Sequence, residues 1–96
     1  MARLPRLHLS GCAQHVIQRG NNREACFYAE ADYKAYLAFL KDVAIKQQVE
    51  IHAFVLMTNH VHLLVTSGDA QGVSRMMQAL GRKYVQYFNY THGRTG

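Results

Sequence analysis

Two runs of β-forming residues, separated by a break of two residues, constrain the fold of this chain most strongly. Residues 50–57 and 60–66 are both rich in strand-favouring side chains, and only Thr58 and Asn59 lie between them. A two-residue connection has the length of a tight antiparallel hairpin. The sequence therefore predicts two neighbouring antiparallel strands joined at this turn.

The register of the hairpin decides which residues share a face, because side chains alternate between the two faces of a strand. If Met57 pairs with His60, then Val55 pairs with His62, and the two histidines share one face with Ala53. The opposite, helix-facing side is then predicted to carry His52 as a structural, hydrogen-bonded histidine. The same side carries an apolar set: Phe54, Leu56, Val61, Leu63 and Val65.

Two stretches have the 3.6-residue periodicity of amphipathic helices. In residues 31–48 the apolar positions follow one helical face: Tyr33, Tyr36, Leu37, Leu40, Val43 and Ala44. A second stripe begins after a predicted N-cap at residues 67–69 and stops at Gly93: Val73, Met76, Met77, Leu80, Tyr84, Tyr87 and Phe88. Residues 12–18 are predicted to form a first strand, followed by a loop at residues 20–22.

The predicted order of strand, helix, strand, strand, helix indicates an α+β fold. One more strand would complete a ferredoxin-like split βαββαβ sandwich, with an antiparallel sheet and both helices on one face. The other face of the sheet would stay open, and the histidine pair would lie on it. We expect residues 1–96 to form a single domain.

Composition limits the class of protein and its partners. A chain of 96 residues with 49% hydrophobic residues and one proline should pack as a small globular domain. Eleven Lys and Arg against six Asp and Glu give a net charge of +5, which suits an anionic partner such as nucleic acid or membrane lipid. No apolar stretch is typical of a signal peptide or a membrane span, and Cys12 and Cys26 lack the CxxC spacing. A cytoplasmic protein with free thiols is expected.

The sequence His60-Val61-His62 supplies half of a metal site. Imidazole is the commonest metal ligand in proteins, but two imidazoles need a further carboxylate, amide or water to complete the shell. The alternative is that both are ordinary polar residues on the solvent face of a strand. Their predicted position on the open face, where a ligand can reach them, favours the metal site.

Three ordered blocks of the sequence carry a resemblance to a known family. Residues 57–65, MTNHVHLLV, resemble the His-hydrophobic-His signature of single-tyrosine HUH transposases, especially the REP-associated tyrosine transposase branch of the IS200-like family. The other two blocks are residues 15–23, HVIQRGNNR, and residues 80–89, LGRKYVQYFN, which are followed by the GRTG of residues 93–96. The similarity extends from about residue 15 to the last residue.

The resemblance implies a metal-dependent domain for DNA strand transfer. In the family, the residues matching His60 and His62 act in catalysis and, with a third polar group, hold Mg²⁺ or Mn²⁺, while a tyrosine hydroxyl attacks single-stranded DNA and becomes linked to its 5′-phosphate. That tyrosine lies on a helix after a further strand, downstream of the GRTG block. We therefore expect this chain to be a truncated, N-terminal portion without that strand, the nucleophile and the polar group beside it. Tyr90 is the remaining candidate nucleophile, because Tyr84 and Tyr87 lie on the apolar stripe.

The implied partner is single-stranded or hairpin DNA, bound by a monomer or a homodimer, with no membrane association. The side chains expected near phosphate are Arg19, Asn22, Arg23, Arg75, Arg82 and Lys83. Arg75 and Arg82 belong to a polar stripe on the second helix, for which a solvated helix face is the alternative.

A different class of function also stays open at this point. A noncatalytic module could hold a nucleic acid strand on the open sheet, although strands one and three lack the exposed aromatic pair that such sheets use for base stacking. Metal storage or a structural zinc site fits poorly with two aligned ligands.

Overall fold

The computed structural model of the protein describes residues 12–19, 26–69 and 71–93. The elements in chain order are β1 (Gln14–Arg19), α1 (Glu30–Gln47), β2 (Val49–Met57), β3 (His60–Ser67) and α2 (Gly72–His92). This order confirms the predicted α+β fold. The loop predicted at residues 20–22 lies outside the described residues.

The sheet has the order β1-β3-β2, and both pairings are antiparallel. Met57 pairs with His60 and Val55 with His62, so the predicted hairpin register is confirmed. The order is the one in which a ferredoxin-like unit arranges its first three strands. As a result, β3 is the central strand and the histidine pair has a neighbouring strand on each side.

The hydrophobic core lies between one face of the sheet and the two helices. Val61, Leu63 and Val65 of β3 are almost fully buried, as expected for alternate residues of a strand covered on one face. Each helix contributes to the core the apolar positions predicted from its periodicity. The buried ones are Tyr36, Leu40, Val43 and Ala44 from α1, and Val73, Met76, Leu80 and Tyr84 from α2. Both helices therefore cover the same face of the sheet.

The ends of the helices show which local signals were correct. Gly93 has φ +64° and ends α2 as predicted, because this left-handed conformation is open to glycine. The predicted N-cap at residues 67–69 is wrong. Asp69 accepts the Gln71 N–H with its carboxylate at 2.8 Å and closes a turn before the helix, and α2 begins at Gly72 without a side-chain cap.

A β-bulge changes the face of His52. The register between β2 and β3 shifts between Ile51 and Ala53, so the strict alternation assumed for the strand fails there. His52 is exposed, and its Nε2 lies 2.6 Å from the hydroxyl of Thr66, which by alternation shares the open face with His60. The prediction of a hydrogen-bonded histidine is confirmed, but its predicted place on the helix side is wrong.

A polar cluster centred on Asp32 is buried in the helical layer. The Asp32 side chain is 1% exposed and accepts hydrogen bonds from the N–H groups of Tyr28 and Ala29 and from the Tyr87 hydroxyl. His92 Nε2 lies 2.9 Å from one carboxylate oxygen. Burial acts to raise the pKa of Asp32, but the hydrogen bonds outweigh it and hold the pKa below its ordinary value.

Candidate functional site

The two histidines of the sequence motif lie on the open face of the central strand. His60 and His62 are half-buried, and the residues between and after them, Val61 and Leu63, point into the core. Because the two imidazoles are two residues apart on one strand, they stand side by side, with ring centroids 4.9 Å apart. The predicted placement of this pair is confirmed.

The turn of the hairpin holds the ring of His60. The Thr58 carbonyl accepts the Cys26 N–H at 2.7 Å and fixes the turn against the segment that precedes α1. The next residue, Asn59, has its side-chain oxygen 2.7 Å from Nδ1 of His60. An amide oxygen only accepts hydrogen bonds, so Nδ1 of His60 donates, and in the neutral ring Nε2 carries the lone pair.

A third histidine joins the pair from β1. His15 Nε2 lies 3.0 Å from Nδ1 of His62, the ring centroids are 5.1 Å apart, and the two ring planes are within 19° of each other. The cause is the antiparallel register, in which Ile17 pairs with His62 and His15 is its diagonal neighbour on the same face. Sequence reasoning missed His15 as a site residue. The signal was available, since His15 lies within one of the blocks that carry the family resemblance.

The electrostatics of this cluster favour a neutral imidazole at its centre. The pKa of His62 is lowered first by partial desolvation and then by the nearby His60, His15 and Arg19. Each effect disfavours the charged form of the ring. A metal ion binds the neutral form of histidine, so the environment of His62 suits a ligand.

The described residues bring together two imidazoles as candidate metal ligands, but no larger ready-made set. Within residues 12–19, 26–69 and 71–93, no group of three or more His, Cys, Asp or Glu side chains is arranged to hold a metal ion. Cys12 and Cys26 are free thiols, as expected. Any ion held by His60 and His62 would have to complete its shell with other donors.

The predicted phosphate-binding residues fall in different parts of the molecule. Arg19 pairs with His60 across β1 and β3, so it lies on the open face beside the histidines. Arg75 lies on α2 in the helical layer, where its guanidinium contacts Asp69 and Gln47. Arg82 is exposed and Lys83 half-buried on the same helix. Asn22 and Arg23 lie outside the described residues.

The tyrosines are concentrated in or near the helices. The hydroxyls of Tyr36, Tyr84 and Tyr87 donate to Gln18, to the Cys26 carbonyl and to Asp32 respectively. Burial is the first cause that raises the pKa of both Tyr36 and Tyr84. The assignment of Tyr84 to the core is confirmed, and Tyr87 packs partly against it.

Tyr90 differs from these residues. It is 92% exposed and lies near the end of α2. Exposure leaves its hydroxyl accessible, but it is not held in any fixed orientation by packing.

In the part of the chain that the structure describes, neither helix is apolar enough over a sufficient length to cross a membrane.

Comparisons with known proteins bear on the family of the chain. A search of curated proteins found no significant match. The family described as "Transposase IS200 like" matches residues 8–95, a span that contains His15, His60 and His62. The chain therefore belongs to the IS200-like transposase family.

Proposed function

We propose that the open face of the sheet is the catalytic face of this transposase domain, where His60 and His62 hold Mg²⁺ or Mn²⁺ and single-stranded or hairpin DNA binds. One observation carries the proposal. Both imidazoles have Nδ1 engaged within the protein, and both stand on the exposed side of the central strand with Nε2 as the remaining nitrogen.

The donor chemistry is compatible with such an ion. Mg²⁺ and Mn²⁺ commonly take only one or two protein ligands when water and substrate phosphate oxygens fill the other positions. Two neutral imidazoles would anchor the ion weakly, with a Kd on the order of 1 mM or weaker. When bound, the ion would offset the negative charge that develops on the phosphate oxygens during strand cleavage.

The proposed reaction is an in-line transfer through a phosphotyrosine. The bond between the tyrosine oxygen and phosphorus forms as the bond between phosphorus and O3′ breaks, and the proton lost by the phenol is balanced by the proton gained at the departing 3′ oxygen. The covalent link conserves the energy of the phosphodiester, so rejoining needs no nucleotide cofactor. Arg19, next to His60 on the open face, would pair with a neighbouring phosphate.

None of the six tyrosines of this chain is proposed as the nucleophile. An attacking oxygen must be held about 3 Å from phosphorus. Three of the hydroxyls are committed to hydrogen bonds within the protein, and the rings of Tyr28 and Tyr33 pack against Phe88 and Phe27. The exposed Tyr90 is not oriented. The 96-residue chain should therefore form no covalent adduct with labelled hairpin DNA and Mn²⁺ on a denaturing gel. A shifted band that disappears only in Tyr90→Phe would assign the role to Tyr90.

Titration with Mn²⁺ tests the ion site directly. Paramagnetic broadening of the imidazole signals should be strongest at His60 and His62 and should be lost in the double variant His60→Ala, His62→Ala. The matched control is His52→Ala, which removes a different histidine of the open face, one that contacts Thr66. Equal broadening in the double variant would contradict the proposal.

The noncatalytic alternative has less support. The open-face positions of the three described strands carry histidine, arginine, glutamate, threonine, methionine and aliphatic side chains and no Phe, Tyr or Trp ring for base stacking. DNA binding that is unaffected by both Mn²⁺ and the double histidine variant would favour that alternative.

A further inference from the structure

The two histidines of the motif hold their Nδ1 atoms in different ways. His60 Nδ1 faces the oxygen of Asn59, an acceptor, so its proton position is determined. His62 Nδ1 faces another imidazole nitrogen, Nε2 of His15, at 3.0 Å. Between two neutral imidazoles, one nitrogen must donate and the other accept, so two arrangements satisfy the same distance.

The two arrangements differ in what they leave on the exposed side of His62. If His15 donates, then Nε2 of His62 carries a hydrogen and cannot bind an ion. If His62 donates from Nδ1, its Nε2 presents a lone pair, as Nε2 of His60 does. Ligating histidines generally donate their other ring N–H to a fixed acceptor, which sets the tautomer and the ring orientation. Only the second arrangement makes the pair equivalent.

We propose that His15 is a positioning residue for the ion site: its Nε2 accepts the Nδ1 hydrogen of His62 and holds that ring in the tautomer whose Nε2 is free to bind a metal ion. This inference deepens the proposed function and rests on it. It adds a third histidine, from β1, that acts through His62 without being one of the two ligands.

The backbone gives His15 a fixed place for this role. β1 and β3 pair continuously from Gln14 opposite Val65 to Arg19 opposite His60. Val16, the residue after His15, is buried in the core and anchors the strand from the other face. The His15 ring therefore rests on a paired strand rather than on a loop, and its plane lies within 19° of the plane of His62.

The tautomer of His62 can be determined by ¹⁵N NMR in the absence of any metal ion. The chain is labelled with ¹⁵N at the histidines and measured at a pH of about 8, above the ordinary imidazole pKa of about 6.5. Protonated and unprotonated ring nitrogens have well-separated ¹⁵N shifts. We expect hydrogen at Nδ1 of both His60 and His62. Hydrogen at Nε2 of His62 in the unsubstituted protein would overturn the inference.

Variants at position 15 test the cause. His15→Leu removes the acceptor, so His62 should lose its Nδ1–H tautomer and Mn²⁺ affinity should fall about tenfold or more. His15→Gln keeps an acceptor oxygen and should restore both. His52→Leu is the matched control and should change neither. Because His15 is exposed, a dispersed amide spectrum should confirm that each variant folds.

The outcomes separate the inference from the proposed function. If Mn²⁺ broadens His60 and His62 equally in the unsubstituted protein and in His15→Leu, then the ion site stands and the role of His15 is overturned. If the tautomer changes as expected but Mn²⁺ broadens neither histidine in any variant, the hydrogen bond from His62 to His15 is supported and the proposed ion site is overturned.

Discussion

The two sides of the sheet, the helical layer that covers one face and the open face opposite, differ in how completely their polar groups are satisfied. On the helix side, the polar cluster around Asp32 is closed: the carboxylate receives two backbone N–H groups, a tyrosine hydroxyl and His92. On the open side, His60 and His62 are half-buried, and their side-chain contacts engage Nδ1 of each ring. Saturated, buried polar groups contribute to stability, whereas the partly satisfied ones of the open face are suited to a ligand.

The largest expected effect is the loss of stability when a substitution removes the carboxylate at the centre of the Asp32 cluster. Asp32→Ala removes the acceptor of several buried donors, so the free energy of unfolding should fall by about 3–5 kcal/mol, measured by urea denaturation. Asp42→Ala, an exposed aspartate on the same helix, is the matched control and should change it by less than about 0.5 kcal/mol. Similar losses for both variants would remove the contrast between closed and exposed polar groups.

Adjacent leucines on β3 test the two faces directly. Leu63 is 1% exposed on the helix side, and Leu64 is 38% exposed on the open side. Leu63→Ala should cost about 3 kcal/mol because it leaves a cavity in the core, and Leu64→Ala should cost less than about 1 kcal/mol. Thermal and urea unfolding of both variants measure the difference. Equal costs would mean that the open face is covered in solution.

Acid should weaken the helix side through Asp32. Its pKa is lowered in the folded protein, so the unfolded chain binds the proton more readily than the folded one. The stabilisation is therefore complete above the ordinary carboxyl pKa of about 3.9 and is lost as the pH falls through the lower, folded pKa. Asp32→Asn should flatten the unfolding free energy against pH below about 4. An unchanged slope would show that other carboxyl groups dominate.

The smallest expected effect is a change in the salt dependence of DNA binding when an arginine outside the two clusters is substituted. Arg19 lies on the open face, and Arg75 is already engaged by Asp69 and Gln47. In anisotropy titrations with hairpin DNA, Arg19→Gln should reduce the slope of log affinity against log salt by about one unit or slightly less, and Arg75→Gln should reduce it less. The reverse ranking would move the DNA-binding surface to the helical layer.

Local patterns were sufficient to predict the hairpin and the apolar stripes. The two-residue spacing at Thr58 and Asn59 determines the register, and the register in turn determines that His60 and His62 share a face. Periodicity identified the buried side of each helix because both helices pack on one sheet face. The family resemblance rests on the same segments, and the family match includes them.

Features that depend on irregular or distant pairing were not predictable in this way. The bulge beside His52 has no clear signal in the sequence, and a single extra residue reverses the face of that side chain. The contact between His15 and His62 joins residues 47 positions apart and follows from the pairing of β1 with β3. Asp32 lies four residues before Tyr36 and therefore on the same, apolar face of α1. This spacing is consistent with the burial of its carboxylate.

The central position of β3 has a consequence for how an ion would be captured. A strand with a hydrogen-bonded neighbour on each side cannot shift its backbone without breaking two ladders. The spacing between His60 and His62 is therefore set when the protein folds, before any ligand arrives. Because the entropy of arranging these two side chains is lost during folding, an ion or phosphate that bound there would avoid that part of the ordering cost.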